Sequence, residues 1–166
     1  MTILRQPQLS TVAAASCWLL FVAACCLPAF RLEGRPEPEP AIGLLLIGWL
    51  GLFQLLDGQI DALGWLANPF FLMSTLLTLA RSYRPALASA AVAVAFALTS
   101  FLIREMMVNE AGHTRPVVGY GAGFWLWQAA IGLCLLAPAV LLAMQHYRAA
   151  EKPTLLEFDA ELPLRS

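Results

Sequence analysis

Long apolar runs separated by short polar segments dominate the chain between residues 12 and 145. Four of them, residues 12–30, 62–80, 86–103 and 119–145, have about the length of the roughly 20-residue helix that crosses a bilayer. Their apolar residues are continuous rather than confined to one helical face, which is typical of segments surrounded by lipid. The pattern therefore predicts four transmembrane helices.

A fifth apolar segment, residues 41–56, has a length between that of an interfacial or re-entrant helix and that of a full span. The proline-rich link at 31–40, which favours extended backbone, precedes it. Asp57 and Gly58 follow as a predicted helix end, and Asp61 as the predicted N-cap of the next helix. Residues 104–118 are predicted to form a polar loop, and residues 149–166 a short cytoplasmic tail.

The arginines and lysines decide between four and five spans. Five spans with a cytoplasmic N-terminus would place the basic turn at 81–84 outside and the acidic turn at 57–61 inside, against the positive-inside rule. If residues 41–56 dip into or lie along the outer leaflet, four spans remain and both termini are cytoplasmic. The prediction is an all-α integral membrane protein, a four-transmembrane-helix bundle with an extra interfacial or re-entrant helix on the outer face. Residues 1–148 would form its single domain.

Composition agrees with this class, because 60% of the residues are hydrophobic, 13% are charged and the mean hydropathy is +0.71. A net charge of −1 leaves no polybasic patch for nucleic acid. The four cysteines include no CxxC and are interpreted as small packing residues. The first apolar run also has the form of a lipoprotein signal ending before Cys25, but the later spans favour a retained helix.

Candidate chemistry is sparse along the chain. Asp57 and Asp61 supply fewer oxygen ligands than a hard cation needs, and His113 has no second histidine or cysteine at ligand spacing. Asn68 precedes Pro69, which predicts either a simple kink or backbone groups exposed to a substrate. No catalytic residue, metal or cofactor is predicted.

Two sets of residues stand out as contact candidates. The helix-packing set consists of small residues four positions apart, a spacing that allows helices to approach closely in lipid. Its members are Ser89, Ala93 and Ala97, and the pair Gly119 and Gly123. The second set gathers near the outer interface and would form a recognition surface or a polar path: Trp49, Asp57, Asp61, Trp65, Asn68 and Gln128.

The order of four short motifs carries a resemblance. Gly48-Trp49-Leu50, then Trp65-Leu66-Ala67-Asn68-Pro69, then Gly119-Tyr120 and Trp125-Leu126-Trp127 resemble a pattern in small, uncharacterised bacterial inner-membrane proteins. The resemblance covers residues 41–130, and residues 121–124 interrupt its last motif. It implies a multi-pass protein of the bacterial inner membrane and supplies no function.

The leading hypothesis is a non-enzymatic accessory, assembly or immunity-type membrane protein. Its expected partners are the lipid bilayer and either another membrane protein or a second copy of the chain, with no nucleic acid. The alternative is a small transporter or channel component with a polar path near Asn68. An enzyme acting on lipid or quinone comes third, because the sequence offers no nucleophile, base or metal set.

Overall fold

The computed structural model describes residues 6–34, 39–50, 60–107 and 113–160. Its α-helices are α1 (Gln6–Cys25), α2 (Ala41–Ile47), α3 (Ala67–Leu79), α4 (Tyr83–Thr99) and α5 (Ala122–Ala160). Short 3-10 segments cover residues 48–50, Ile60–Leu66 and Ser100–Leu102. The strands are β1 (Pro28–Leu32), β2 (Glu39–Pro40), β3 (Glu105–Met107) and β4 (Thr114–Tyr120).

Three helices in the described part of the chain are long and apolar enough to cross a membrane: Gln8–Cys25, Tyr83–Leu102 and Ala122–Arg148. They correspond to three of the four predicted spans. The remaining predicted span, residues 62–80, forms a shorter apolar helix, Leu63–Leu79, because its first part is 3-10 and only α3 is α-helical. The molecule is thus mostly helical, with three helices of membrane-spanning character.

The four longer helices pack side by side with alternating direction. Ser10 near the start of α1 shares a 2.7 Å hydrogen bond with Tyr83 at the start of α4, so these two helices run in the same direction. A turn of three residues, 80–82, reverses the chain between α3 and α4. Gly123 at the start of α5 lies against the carbonyl of Ala24 near the end of α1, which makes those helices antiparallel.

Small side chains on α4 form the centre of the core. Ala86, Ala90, Ala93 and Ala97 are almost fully buried, and Ser89 is 9% exposed. Around them pack larger residues of the other helices, including Phe21 and Phe71, whose rings stack with centroids 4.9 Å apart. Close approach along such small residues brings the helix backbones together and provides van der Waals contact between them.

A four-stranded antiparallel sheet, in the order β2-β1-β4-β3, departs from the all-α prediction. The chain leaves α1 into β1 and enters α5 from β4, so both strands lie at the same end of the bundle and pair, with Phe30 opposite Tyr120. The predicted polar loop at 104–118 was wrong within the described residues, because β3 and β4 pair there. Alternate β4 side chains are exposed, as expected when one face of a sheet meets solvent.

The sheet also shifts helix boundaries. The first span was predicted to run to residue 30, but α1 ends at Cys25 and Phe30 belongs to β1. The last span was predicted to start at residue 119, but Gly119 lies in β4 opposite Arg31 and α5 starts at Ala122. The Gly119–Gly123 helix pair was therefore wrong, since only Gly123 is helical. At its other end α5 continues to Ala160, so the predicted tail begins as helix.

Two predictions between α2 and α3 also change. Asp61 was predicted to be an N-cap, but it lies within the 3-10 segment, and Leu66 holds the N-cap position of α3 without a side-chain bond. Pro69 falls in the first turn of α3, where a missing N–H is tolerated, so it marks the start of the α-helix rather than a kink inside it. In segment 41–56 the α-helix ends at Ile47, and residues 51–56, like Asp57 and Gly58, lie outside the described residues.

Candidate functional site at the capped end of the bundle

The sheet covers one end of the helix bundle, and we call this the capped end. It comprises β1 to β4, α2, the two 3-10 segments Ile60–Leu66 and Ser100–Leu102, and the adjoining ends of α1, α3 and α5. Trp49, Trp65, Asn68 and Gln128, four of the six predicted recognition residues, are in or next to it. Asp61 has only its backbone described, and Asp57 lies outside the described residues.

Asn68 is fixed by Trp127, a residue on α5. The indole Nε1–H of Trp127 donates to Oδ1 of Asn68 over 3.0 Å. An indole nitrogen can only donate, so the amide oxygen must be the atom that faces it. The Nδ2 group of Asn68 consequently points elsewhere, and it has no hydrogen-bond acceptor among the described residues.

Gln128 joins α5 to the end of α4. Its Nε2 donates to the carbonyl of Ala97 over 3.0 Å and to Oγ of Ser100 over 3.1 Å. Ser100 in turn donates its hydroxyl proton to the same carbonyl of Ala97. The Gln128 amide thus gives a hydrogen-bond donor to one backbone carbonyl and one hydroxyl at the junction of α4 with the 3-10 segment Ser100–Leu102. Its role is a structural contact between α5 and α4.

The two Gly-Trp-Leu motifs meet each other. The indole Nε1–H of Trp65 donates to the carbonyl of Leu45 over 3.0 Å, which ties the 3-10 segment to α2. Gly48 lies against the Cδ1 edge of the same ring, since a Cβ at Gly48 would be 2.6 Å from Cδ1 of Trp65. Glycine at 48 thus permits close packing on Trp65, while Trp49 remains 45% exposed.

A cavity of about 170 Å³ opens between α1, α2, the 3-10 segments and α5. Its described lining is largely apolar, with aromatic rings from all sides: Phe21, Phe30, Trp65, Phe124 and Trp127. Asn68 and Ser100 also line it, and Ser100 already makes internal hydrogen bonds. Apolar cavities of roughly 150 Å³ accept a molecule of the size of benzene, so this one has room for a small apolar group.

Aromatic residues also form a continuous cluster under and beside the sheet. Tyr120 stacks on Phe124 at 4.3 Å, and Phe101 contacts Phe124 edge-on at 5.0 Å. At the rim, Trp125 is 55% exposed and lies 6.0 Å from Phe101, which is 38% exposed. Phe101, Tyr120 and Phe124 were not among the predicted site residues; the high aromatic density of residues 120–127 was the available signal.

Charged residues at the capped end make hydrogen bonds within and beside the sheet. The hydroxyl of Thr114 donates to Oε2 of Glu105 across the β3–β4 pair, and the Arg115 guanidinium donates to the carbonyl of Glu33 over 2.9 Å. His113 is exposed. Within the described ranges no group of three histidine, cysteine, aspartate or glutamate residues is placed to hold a metal ion.

The capped end thus joins an exposed aromatic rim to an apolar cavity lined by Asn68, whose Nδ2 finds no acceptor in the described chain. Comparison of the chain with known protein families, with curated proteins and with solved structures finds no significant match.

Proposed function

We propose that this chain is a non-enzymatic multi-pass protein of the bacterial inner membrane that acts through helix–helix contacts, as an accessory, assembly or immunity-type protein. Four segments would cross the membrane, with both termini in the cytoplasm. The partner would be another membrane protein or a second copy of the chain. The observation that carries this proposal is that polar side chains inside the bundle are used to join helices.

Three such contacts join α4 to α3 and α5. Ser74 of α3 donates its hydroxyl proton to the carbonyl of Ala86 over 2.9 Å, and Ser89 donates to the carbonyl of Phe70 over 3.0 Å. Gln128 of α5 donates to the carbonyl of Ala97. Hydrogen bonds between helices together with small-residue packing are typical of helix association in membranes.

Helix length supports a fourth crossing. The 3-10 segment Ile60–Leu66 has 7 residues and α3 has 13. A 3-10 segment rises about 2.0 Å per residue and an α-helix about 1.5 Å, so placed end to end the two would extend roughly 33 Å. That length matches a hydrocarbon core of about 30 Å even though the α-helical part alone does not.

The exposed aromatic rim at the capped end is the proposed recognition surface. Phe101 and Trp125 present large rings outside the fully buried core, and aromatic residues of this kind are enriched at the centres of protein interfaces. Tryptophan and tyrosine also anchor helices at the membrane interface. We therefore test partner binding and membrane position separately.

Partner binding is tested by native mass spectrometry of the protein purified in mild detergent. We expect a stoichiometric partner or a homo-oligomer, and we expect Trp125→Ala to reduce the fraction of complex. Tyr147→Ala is the matched control, because Tyr147 is 75% exposed near the opposite end of the bundle. A monomer without partner, or equal losses in both variants, would contradict the proposal.

Topology is tested with a reporter fused after Gln59. Four spans place this position outside the cytoplasm, whereas five spans place it in the cytoplasm. A cytoplasmic signal from the fusion would remove the four-span arrangement while leaving the partner experiment unaffected.

A transporter or channel component is the second candidate, favoured by one observation: Asn68 lines the cavity, and its Nδ2 has no acceptor within the described ranges. Against it stand the apolar lining of that cavity and the commitment of Gln128 to α4. Solute flux into liposomes that contain the protein, reduced by Asn68→Leu, would support transport. An absence of flux would exclude it for the solutes tested.

A further inference from the structure

The turn between α3 and α4 holds a residue in an unfavourable backbone conformation. Arg81 has φ +61°, within the left-handed region, and it is the one non-glycine residue of the described chain with positive φ. The Ser82 N–H donates to the carbonyl of Leu77 over 2.9 Å, and the Arg81 N–H donates to the carbonyl of Thr78 over 3.1 Å. These two bonds are those of a Schellman motif with Arg81 at the position after the helix cap.

Glycine is the usual residue at this position, because a Cβ in the left-handed region clashes with the backbone. Placing arginine there lowers the stability of the fold relative to glycine. Arg81 is exposed, so its side chain does not recover that cost by burial in the core. Strain of this kind points to a role for the side chain itself.

Arg81 lies at the edge of a surface depression formed by the α3–α4 turn and α5. The depression measures about 470 Å³, and its lining includes Arg81, Tyr83, Arg84, Leu142 and His146. Two arginines and a histidine thus face one concave surface, with no carboxylate in its described lining. Arg148 follows His146 on α5 by two residues and adds to the positive charge of this end.

The backbone of α4 also contributes positive charge to the depression. Helix α4 begins at Tyr83, at the depression, and has no acidic residue in its first turn. The positive end of its dipole is therefore not offset by a side chain of the helix itself. Tyr83 is not free to act, because it is buried and its hydroxyl is paired with Ser10.

We propose that this depression binds the phosphate group of an anionic phospholipid. The depression lies at the end of the bundle opposite the sheet, where α4 begins and the apolar part of α5 ends. Both helices are long and apolar enough to cross a membrane, and in that arrangement this end would lie at the level of the lipid headgroups. Guanidinium groups match phosphate geometry with paired N–H donors, and basic pockets between membrane helices are suited to such headgroups. The apolar side chain of Leu142 would adjoin the lipid body. This inference does not depend on the proposed partner binding.

The test compares lipid retention by native mass spectrometry after exchange into phosphatidylglycerol or phosphatidylcholine. We expect the wild-type protein to retain phosphatidylglycerol selectively. Arg81→Gln and Arg84→Gln should each reduce that retention about fivefold, the effect of removing one cation near an anionic headgroup. Arg81→Lys keeps the charge but loses the paired donors, so its retention should lie between those of the wild type and Arg81→Gln. Arg31→Gln, at the capped end, should leave retention unchanged.

Arg81→Gly separates a binding role from a structural one. Glycine relieves the left-handed strain, so this variant should unfold at a higher denaturant concentration than the wild type while it binds phosphatidylglycerol more weakly. Unchanged lipid retention in Arg81→Gly and Arg84→Gln, or equal retention of phosphatidylcholine, would overturn the proposal. Binding of inorganic phosphate without phosphatidylglycerol would overturn the lipid as the source of the phosphate.

Discussion

The indole nitrogen of Trp127 lies 3.0 Å from Oδ1 of Asn68 and joins the start of α5 to the first turn of α3. These residues are 59 positions apart, and their hydrogen bond is partly buried. It is a direct polar contact between these two helices at the capped end. It also fixes the orientation of the Asn68 amide, and Asn68 lines the cavity. The same hydrogen bond therefore holds two helices together and orients a polar group of the cavity wall.

A double-mutant cycle should measure the coupling of this pair. Trp127→Phe and Asn68→Ala each remove the hydrogen bond, so the double variant should lose less stability than the sum of the two single variants. The expected coupling is about 0.5–1.5 kcal/mol in the free energy of unfolding, measured by denaturant titration in detergent micelles. The cycle of Asn68→Ala with Trp125→Phe is the control and should be additive.

Gly123 should be intolerant of a side chain. A Cβ there would lie 2.5 Å from the carbonyl oxygen of Leu27 and 2.8 Å from that of Ala24, and both of these atoms are backbone. Gly123→Ala must therefore push α5 away from the end of α1, and we expect a loss of about 1–3 kcal/mol in unfolding free energy.

Gly132→Ala on the same helix is the matched control, because a methyl group at this position would meet no heavy atom of a neighbouring element of the described chain within 4 Å. Alanine has the higher helix propensity, so this variant should be neutral or more stable by up to about 1 kcal/mol. Equal effects at the two glycines would contradict the close approach of α1 and α5.

Ala93 on α4 should resist enlargement. It is completely buried between helices, so Ala93→Leu should separate α4 from its neighbours and cost about 1–3 kcal/mol. Ala95→Leu, on the exposed side of the same helix, should have little effect, because the added side chain projects away from the core. Comparing the thermal unfolding of both variants in one detergent tests whether the Ala93 face of α4, and not the Ala95 face, is buried.

Phe71 should contribute more to stability than its neighbour Leu72. Phe71 is 1% exposed and stacks on Phe21, whereas Leu72 is 44% exposed on the outside of α3. Phe71→Ala should cost about 3–5 kcal/mol, which is the usual range for removing a buried aromatic ring. Leu72→Ala should cost much less, since lipid or detergent replaces the contacts of the lost side chain. Similar losses would indicate a different rotation of α3.

Hydropathy alone placed the three helices that are long and apolar enough to cross a membrane, because uncharged apolar runs of sufficient length determine them locally. Around Asn68 local sequence was less informative. The proline was visible in the sequence, but whether it kinks a helix or begins one depends on the backbone of residues 60–66, which is 3-10.

The contact of the two Gly-Trp-Leu motifs was not predictable from their positions, since each motif alone is compatible with an interfacial anchor. Gly48 and Trp65 meet because α2 folds back toward the 3-10 segment, and the hydrogen bond from Trp65 to Leu45 holds that arrangement. The cavity follows from the same arrangement and had no sequence signal of its own.

The amino-acid sequence by itself determined the mostly helical character of this protein, its three long apolar helices and the small residues of α4, because each depends on composition within a few turns of chain. Only the tertiary structure decided that residues 28–32 and 114–120 form strands. These short segments are some 80 positions apart in sequence, and neither can satisfy its backbone hydrogen bonds alone. They pair because the helices deliver both of them to the same end of the bundle, and that pairing in turn decides where α1 ends and α5 begins.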